Sequence, residues 1–79
     1  MEFKHPLTEV ITARMSVEGL SLHALARDTD SPKVTLHRRF ADPSGVTFSE
    51  LARIARRLNV PPSQLLNEAE QRAQKQVAA

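Results

Sequence analysis

Between Ser31 and Phe40 the chain reads SPKVTLHRRF, and Lys33, His37, Arg38 and Arg39 give this stretch four basic side chains. Lysine and arginine only donate hydrogen bonds, and their natural counterparts are phosphates and carboxylates. The charge is local. Residues 1–30 hold Lys4, Arg14 and Arg27 against Glu2, Glu9, Glu18, Asp28 and Asp30. Residues 31–61 hold Lys33, Arg38, Arg39, Arg53, Arg56 and Arg57 against Asp42 and Glu50 alone. The formal net charge of +2 hides this asymmetry. It points to a polyanionic partner, with a solvated basic face as the alternative.

Other chemistry is thin. The chain has no Cys, which excludes disulfides and thiolate metal sites. His5, His23 and His37 are far apart and lack ligand spacing, so no metal is expected. There is no Gly-rich phosphate loop, nucleophile elbow or Glu-x-x-His pattern. Ser, His and Asp occur only on elements too short to enclose a water-excluding site. The expectation is a protein that is not an enzyme and uses no cofactor. No apolar run approaches the ~18 residues of a membrane span, and the N-terminus does not read as a signal peptide. A soluble, cytoplasmic protein is expected.

The elements that position the basic stretch are helical. A length of 79 residues allows one domain, 1–79, with a small core. Strand signals are absent. Leu7, Val10, Ile11 and Met15 form one helical stripe. Leu51, Ile54, Ala55 and Leu58 form a second, and Leu65 or Leu66 with Ala69 and Ala73 a third. Pro6 suits a first helical turn, and Gly19 can end that helix in the left-handed region. Ser21 can cap the next helix. Ser31-Pro32 reads as an N-cap followed by proline at the first helical position. Thr47-Phe48-Ser49-Glu50 is a T-x-x-E capping box. Asn59 is a left-handed stop, and Pro61-Pro62 opens a last helix. The spacing predicts helices over 6–17, 22–28, 32–40, 48–58 and 62–75, with a polar tail fraying across 72–79. The second and third helices are too short to persist alone. Joined by a tight turn at Thr29-Asp30-Ser31 and held by the other three, they form a helix-turn-helix unit.

At this point the residues carry a likeness. GLSLHALARDTDSPKVTLHRRF, followed by TFSELARIARRLNVPPSQLL, resembles the Cro/CI-type (XRE) helix-turn-helix family over residues 7–67. The match is closest in kind to small Cro-like repressors of actinobacteria and their phages. The resemblance implies an all-α, five-helix, lambda-repressor-like domain whose partner is a double-stranded DNA operator. It implies a transcriptional regulator, with Ser21–Asp28 as the supporting helix and Pro32–Phe40 as the recognition helix. The absence of a second domain favours Cro over a two-domain repressor. An antitoxin or restriction-controller module, and a protein-interaction domain on the same fold, remain alternatives. So do a homodimer in solution and a monomer that pairs only on DNA.

Several positions depart from the family pattern. Asp30 stands where Gly is usual, though Asp tolerates left-handed geometry better than most residues. Ser31 replaces an apolar turn residue, and Leu22 replaces a polar residue able to touch DNA. Met15 and Phe40 occupy positions where many members pair Arg with Glu, so a sulfur–aromatic contact is expected between them.

Leu36 and Phe40, four apart, face the core. Lys33, Val34, His37 and Arg38 are left for base edges in the major groove. Lys33 and Arg38 suit guanine, Val34 a thymine methyl, and His37 a base acceptor or a phosphate. Thr35 and Arg39 flank that face and suit phosphates. Ser21, at the start of the supporting helix, suits a phosphate too. Ser44 and Thr47 suit the opposite strand's backbone. Leu65, Leu66, Ala69 and Ala73 are either core or the seam of a dimer. Whether Arg53, Arg56 and Arg57 touch DNA stays open.

Overall fold

Leu7, Val10, Ile11 and Met15 are all buried in the computed structural model, which describes residues 5–78, with side chains through residue 75. Residues 1–4 and 79 of the expected domain lie outside the described residues. The apolar four lie on α1 (Pro6–Glu18), which opens at proline, where a missing N–H costs nothing. Its start is capped by His5, whose Nδ1 accepts from the Leu7 N–H at 3.2 Å. Its end is Gly19, at φ 65. The Gly19 and Leu20 N–H groups donate back to the Ser16 and Met15 carbonyls at 3.1 and 2.8 Å.

Next come α2 (Leu22–Asp28), α3 (Lys33–Ala41), a 3-10 turn (Pro43–Gly45), α4 (Phe48–Arg57) and α5 (Pro62–Ala78). The described residues therefore form five α-helices and no strand, the all-α class read from the sequence. The capping box of α4 is closed at both halves. Thr47 Oγ1 accepts from the Glu50 N–H at 3.1 Å, and Glu50 Oε1 accepts from the Thr47 N–H at 2.8 Å. Beyond α4, Asn59 turns the chain at φ 61.

α1 packs along α5, α5 also meets α4, and α2 joins α3 to α4. Leu25, Ala55 and Leu65 are wholly excluded from solvent at the centre. Leu36 and Phe40 of α3 join the same buried cluster as Met15, Leu51, Ile54 and Leu58. Met15 and Phe40 both belong to that buried cluster. A polar tie reinforces that junction. The buried Thr8 Oγ1 donates to the Phe40 carbonyl at 2.7 Å, satisfying one of the acceptors that the end of α3 leaves without a helical partner. Arg14 and Glu68 bridge α1 and α5, with Nε to Oε1 at 3.3 Å and a second bond from Nη2 to Oε2.

The boundaries differ from expectation in four of the helices. α3 starts at Lys33, and Pro32 is its N-cap, with no side-chain cap bond. Ser31 does not cap it. The Ser31 N–H closes α2 on the Ala26 carbonyl at 2.9 Å, while its hydroxyl turns back to the Thr29 carbonyl at 3.4 Å. A residue before proline is also driven away from helical geometry. α5 stays helical to Ala78, past Arg72 where fraying is predicted. Alanine, glutamine and lysine, which fill this stretch, are strong helix formers. Finally, α1 gains Glu18 and α4 ends at Arg57 with Leu58 as its cap.

Candidate nucleic-acid interface

The link between α2 and α3 sets the angle of the basic helix, and it is built from backbone bonds. Buried Thr29 donates its hydroxyl to the Leu25 carbonyl at 2.7 Å. Asp30 adopts φ 56, the left-handed geometry its short polar side chain tolerates. Small, buried Ala26 packs in the core beneath the turn, with its carbonyl taken by Ser31.

On this mount α3 presents two sides. Leu36 and Phe40 are each 4% exposed. Lys33, Val34, His37 and Arg38 are exposed, Val34 to 70%. The sequence-derived base-reading set is therefore brought together on one accessible face. Among the described residues neither Lys33 nor Arg38 has an acidic partner. Lys33 stands in the first turn of α3, which holds no acidic residue. The helix macrodipole disfavours a cation there. With no acidic partner among the described residues, the Lys33 charge is available to an external anion.

Thr35 and Arg39 lie on the flank turned toward α4, beside Val46, Glu50 and Ile54. Arg39 is correspondingly half-buried, and its Nε donates to Glu50 Oε1 at 3.2 Å. It lies on the flank where a phosphate contact is expected, with its guanidinium held by Glu50. Ser44 also has a partner inside the fold. Its hydroxyl donates to Asp42 Oδ1 at 2.7 Å, and its N–H to the same atom at 3.2 Å. These two bonds hold the Asp42 carboxyl below its usual range. Thr47 and Ser21 are exposed N-caps of α4 and α2, and Ser21 Oγ accepts from the Ala24 N–H at 3.1 Å.

The arginines of α4 behave differently. Arg57 Nε donates to Asp28 Oδ2 at 2.7 Å, and Nη1 approaches Glu18 Oε1 at 3.6 Å. That pairing, above all, holds the Asp28 carboxyl below its ordinary value and raises Arg57. Arg53, Arg56 and Arg57 line an open cleft of about 470 Å³ with Asp28, Thr29 and Asn59. α5 splits the tentative dimer set. Leu65 is core, because its side faces into the bundle and has no exposure. Leu66 is 44% exposed, and with Ala69, Ala73 and Leu7 it lines a shallow apolar cleft between the α1 start and α5.

Residues 11–68 match the model of the Cro/C1-type HTH DNA-binding domain. The chain belongs to that family. No curated protein and no solved structure matches it. Membership supports DNA binding in transcription regulation.

Two residues escaped sequence reading. Glu50 was legible as a cap but not as the partner of Arg39, eleven positions away, since only tertiary packing joins them. Phe48, at the first position of α4, is 74% exposed. No signal in the sequence separates an exposed from a buried phenylalanine at that position. No described helix is long and apolar enough to cross a membrane.

Proposed function

We propose that this chain is a sequence-specific, double-stranded-DNA-binding regulator of the Cro-like repressor type, acting in the cytoplasm of a bacterial host on a phage or chromosomal operator. The carrying observation is that Lys33 and Arg38, accessible and without an acidic partner among the described residues, stand on a helix anchored from beneath by Leu36 and Phe40. Lys33, Val34, His37 and Arg38 read bases. Ser21, Thr35, Ser44 and Thr47 contact the backbone that flanks them. Arginine offers a fork to guanine O6 and N7, and Val34 an apolar surface to a thymine methyl. One nine-residue helix buries little surface. Two copies on half-sites about one helical turn apart, ~34 Å, supply the rest. Leu66, Ala69 and Ala73 are the seam that remains once Leu65 is assigned to the core.

Selection of bound sequences from a random duplex library tests this reading. A palindromic consensus with guanine at the Arg38 position supports it in full. A consensus without symmetry removes the dimer. Absence of any gel shift with random duplex at low salt removes DNA binding, because non-specific affinity is mostly electrostatic. That outcome favours a protein-interaction role.

A further inference from the structure

Arg39 and Glu50 form a pair whose geometry exceeds what either helix needs alone. Arg39 Nε lies 3.2 and 3.4 Å from the two Glu50 oxygens. Glu50 Oε1 at the same time accepts the Thr47 N–H at 2.8 Å. One carboxylate thus closes the α4 cap and holds a cation from α3. The Thr47 N–H first and the Arg39 guanidinium after it keep this carboxyl below its ordinary range. The guanidinium also lies over Gly45, where an added Cβ would stand 3.1 Å from Arg39 Nη1. A side chain at residue 45 would crowd the guanidinium and oblige it to shift by a few tenths of an ångström. Arg39 is the immediate neighbour of Arg38, so it rides at the edge of the DNA-facing side.

We propose that Glu50 withholds Arg39 from the DNA backbone, and so lowers the affinity of the domain for all duplexes alike. This rests on the DNA-binding reading above. A helix whose face enters the major groove has phosphates along its flanks. A phosphate is therefore the alternative partner for Arg39, and Glu50 competes with it. Phosphate contacts carry no sequence information. Withholding one reduces trapping on bulk DNA without altering which site is preferred.

The test is the salt dependence of binding to a random duplex and to a selected site, between 50 and 200 mM salt. Glu50→Gln retains an amide oxygen for the Thr47 N–H, since glutamine also serves in capping boxes. It removes the charge that holds Arg39. The salt slope should then steepen by about 0.9, the release expected for one added phosphate contact. Over that fourfold salt range the variant loses about 3.5-fold more affinity than the wild type. At low salt it binds more tightly, and the gain is equal for random and selected duplexes. Arg39→Gln alone leaves the wild-type slope unchanged, and Arg39→Gln in the Glu50→Gln background restores it. Thermal unfolding of each variant confirms the folded state.

A shallower slope in Arg39→Gln shows that Arg39 already reaches a phosphate and overturns the proposal, whether or not Glu50→Gln folds. So does a Glu50→Gln variant with an unchanged slope, or one that loses the selected site while keeping random duplex, the mark of a purely positional role. A wild type that binds no duplex at low salt overturns the DNA-binding reading and this proposal with it.

Discussion

The exposed side of α3 and the C-terminal half of α4 each concentrate basic residues, yet Lys33 and Arg57 have opposite relations to the fold. Arg56 and Arg57 stand in the last turn of α4, where the helix dipole favours a cation. Arg57 is further matched by Asp28 and Glu18. Lys33 stands in a first turn, where the dipole opposes it, and Lys33 and Arg38 have no acidic partner among the described residues. Charge count does not separate the two regions. What separates them is whether the fold itself supplies the counter-charge. A cation that folding does not use is the one that an external anion can use.

The comparison depends first on the anchor beneath the basic face. Leu36→Ala removes a 4%-exposed side chain that nothing nearby can replace. It should destabilise the domain by about 2–5 kcal/mol and take DNA binding with it. Chemical denaturation measures this. A loss within a few tenths of a kcal/mol would mean that α3 is not held by this face. Next in size, Arg38→Ala should cost about 1–3 kcal/mol on a selected site and relax the preference at one base pair, with thermal stability unchanged. Arg57→Ala, at a cation matched by Asp28 and Glu18, is the control from the other region and should leave the affinity for any duplex intact. Equal losses in the two variants would erase the distinction drawn here. Thr8→Val tests the polar tie at the end of α3. It leaves the Phe40 carbonyl buried without its donor, at a cost of about 1–3 kcal/mol in stability.

The sequence carried the helices because their stripes and stops are local. Leu51, Ile54, Ala55 and Leu58 announce one buried side, and T-x-x-E announces the start of that helix. Gly19 and Asn59 take the left-handed geometry their types suggest, and Asp30 takes it where the family commonly has Gly. The accessible basic face followed from two anchors four residues apart. Pairing was not legible. Arg38 and Arg39 are neighbours of one chemical type, and only the position of Glu50 across the α3–α4 groove turns one inward. Leu65 and Leu66 pose the same problem, since adjacent leucines fit either side of a stripe until α1 decides which is buried. The Ser31-Pro32 signal misled because Ser31 was already engaged in closing α2.

The smallest effect expected is also the most direct reading of the paired region, the response to acid. Asp28 has a lowered pKa in the folded state, chiefly through the Arg57 hydrogen bond, and its ordinary value is 3.8. Glu68 is lowered chiefly by Arg14, from an ordinary 4.5. A carboxyl whose folded pKa is depressed binds fewer protons folded than unfolded. Its contribution is complete above the ordinary value and is lost as pH falls through the lowered one. The midpoint of thermal unfolding should therefore decline below about pH 4.5. Arg57→Ala and Arg14→Ala each remove one such partner, and both should flatten the decline. Lys33 and Arg38 pair with no carboxylate among the described residues, so Arg38→Ala should reproduce the wild-type acid limb. An acid limb altered by Arg38→Ala would show that the face assigned to DNA is already neutralised by the protein's own acids, and the two regions would then be electrostatically alike.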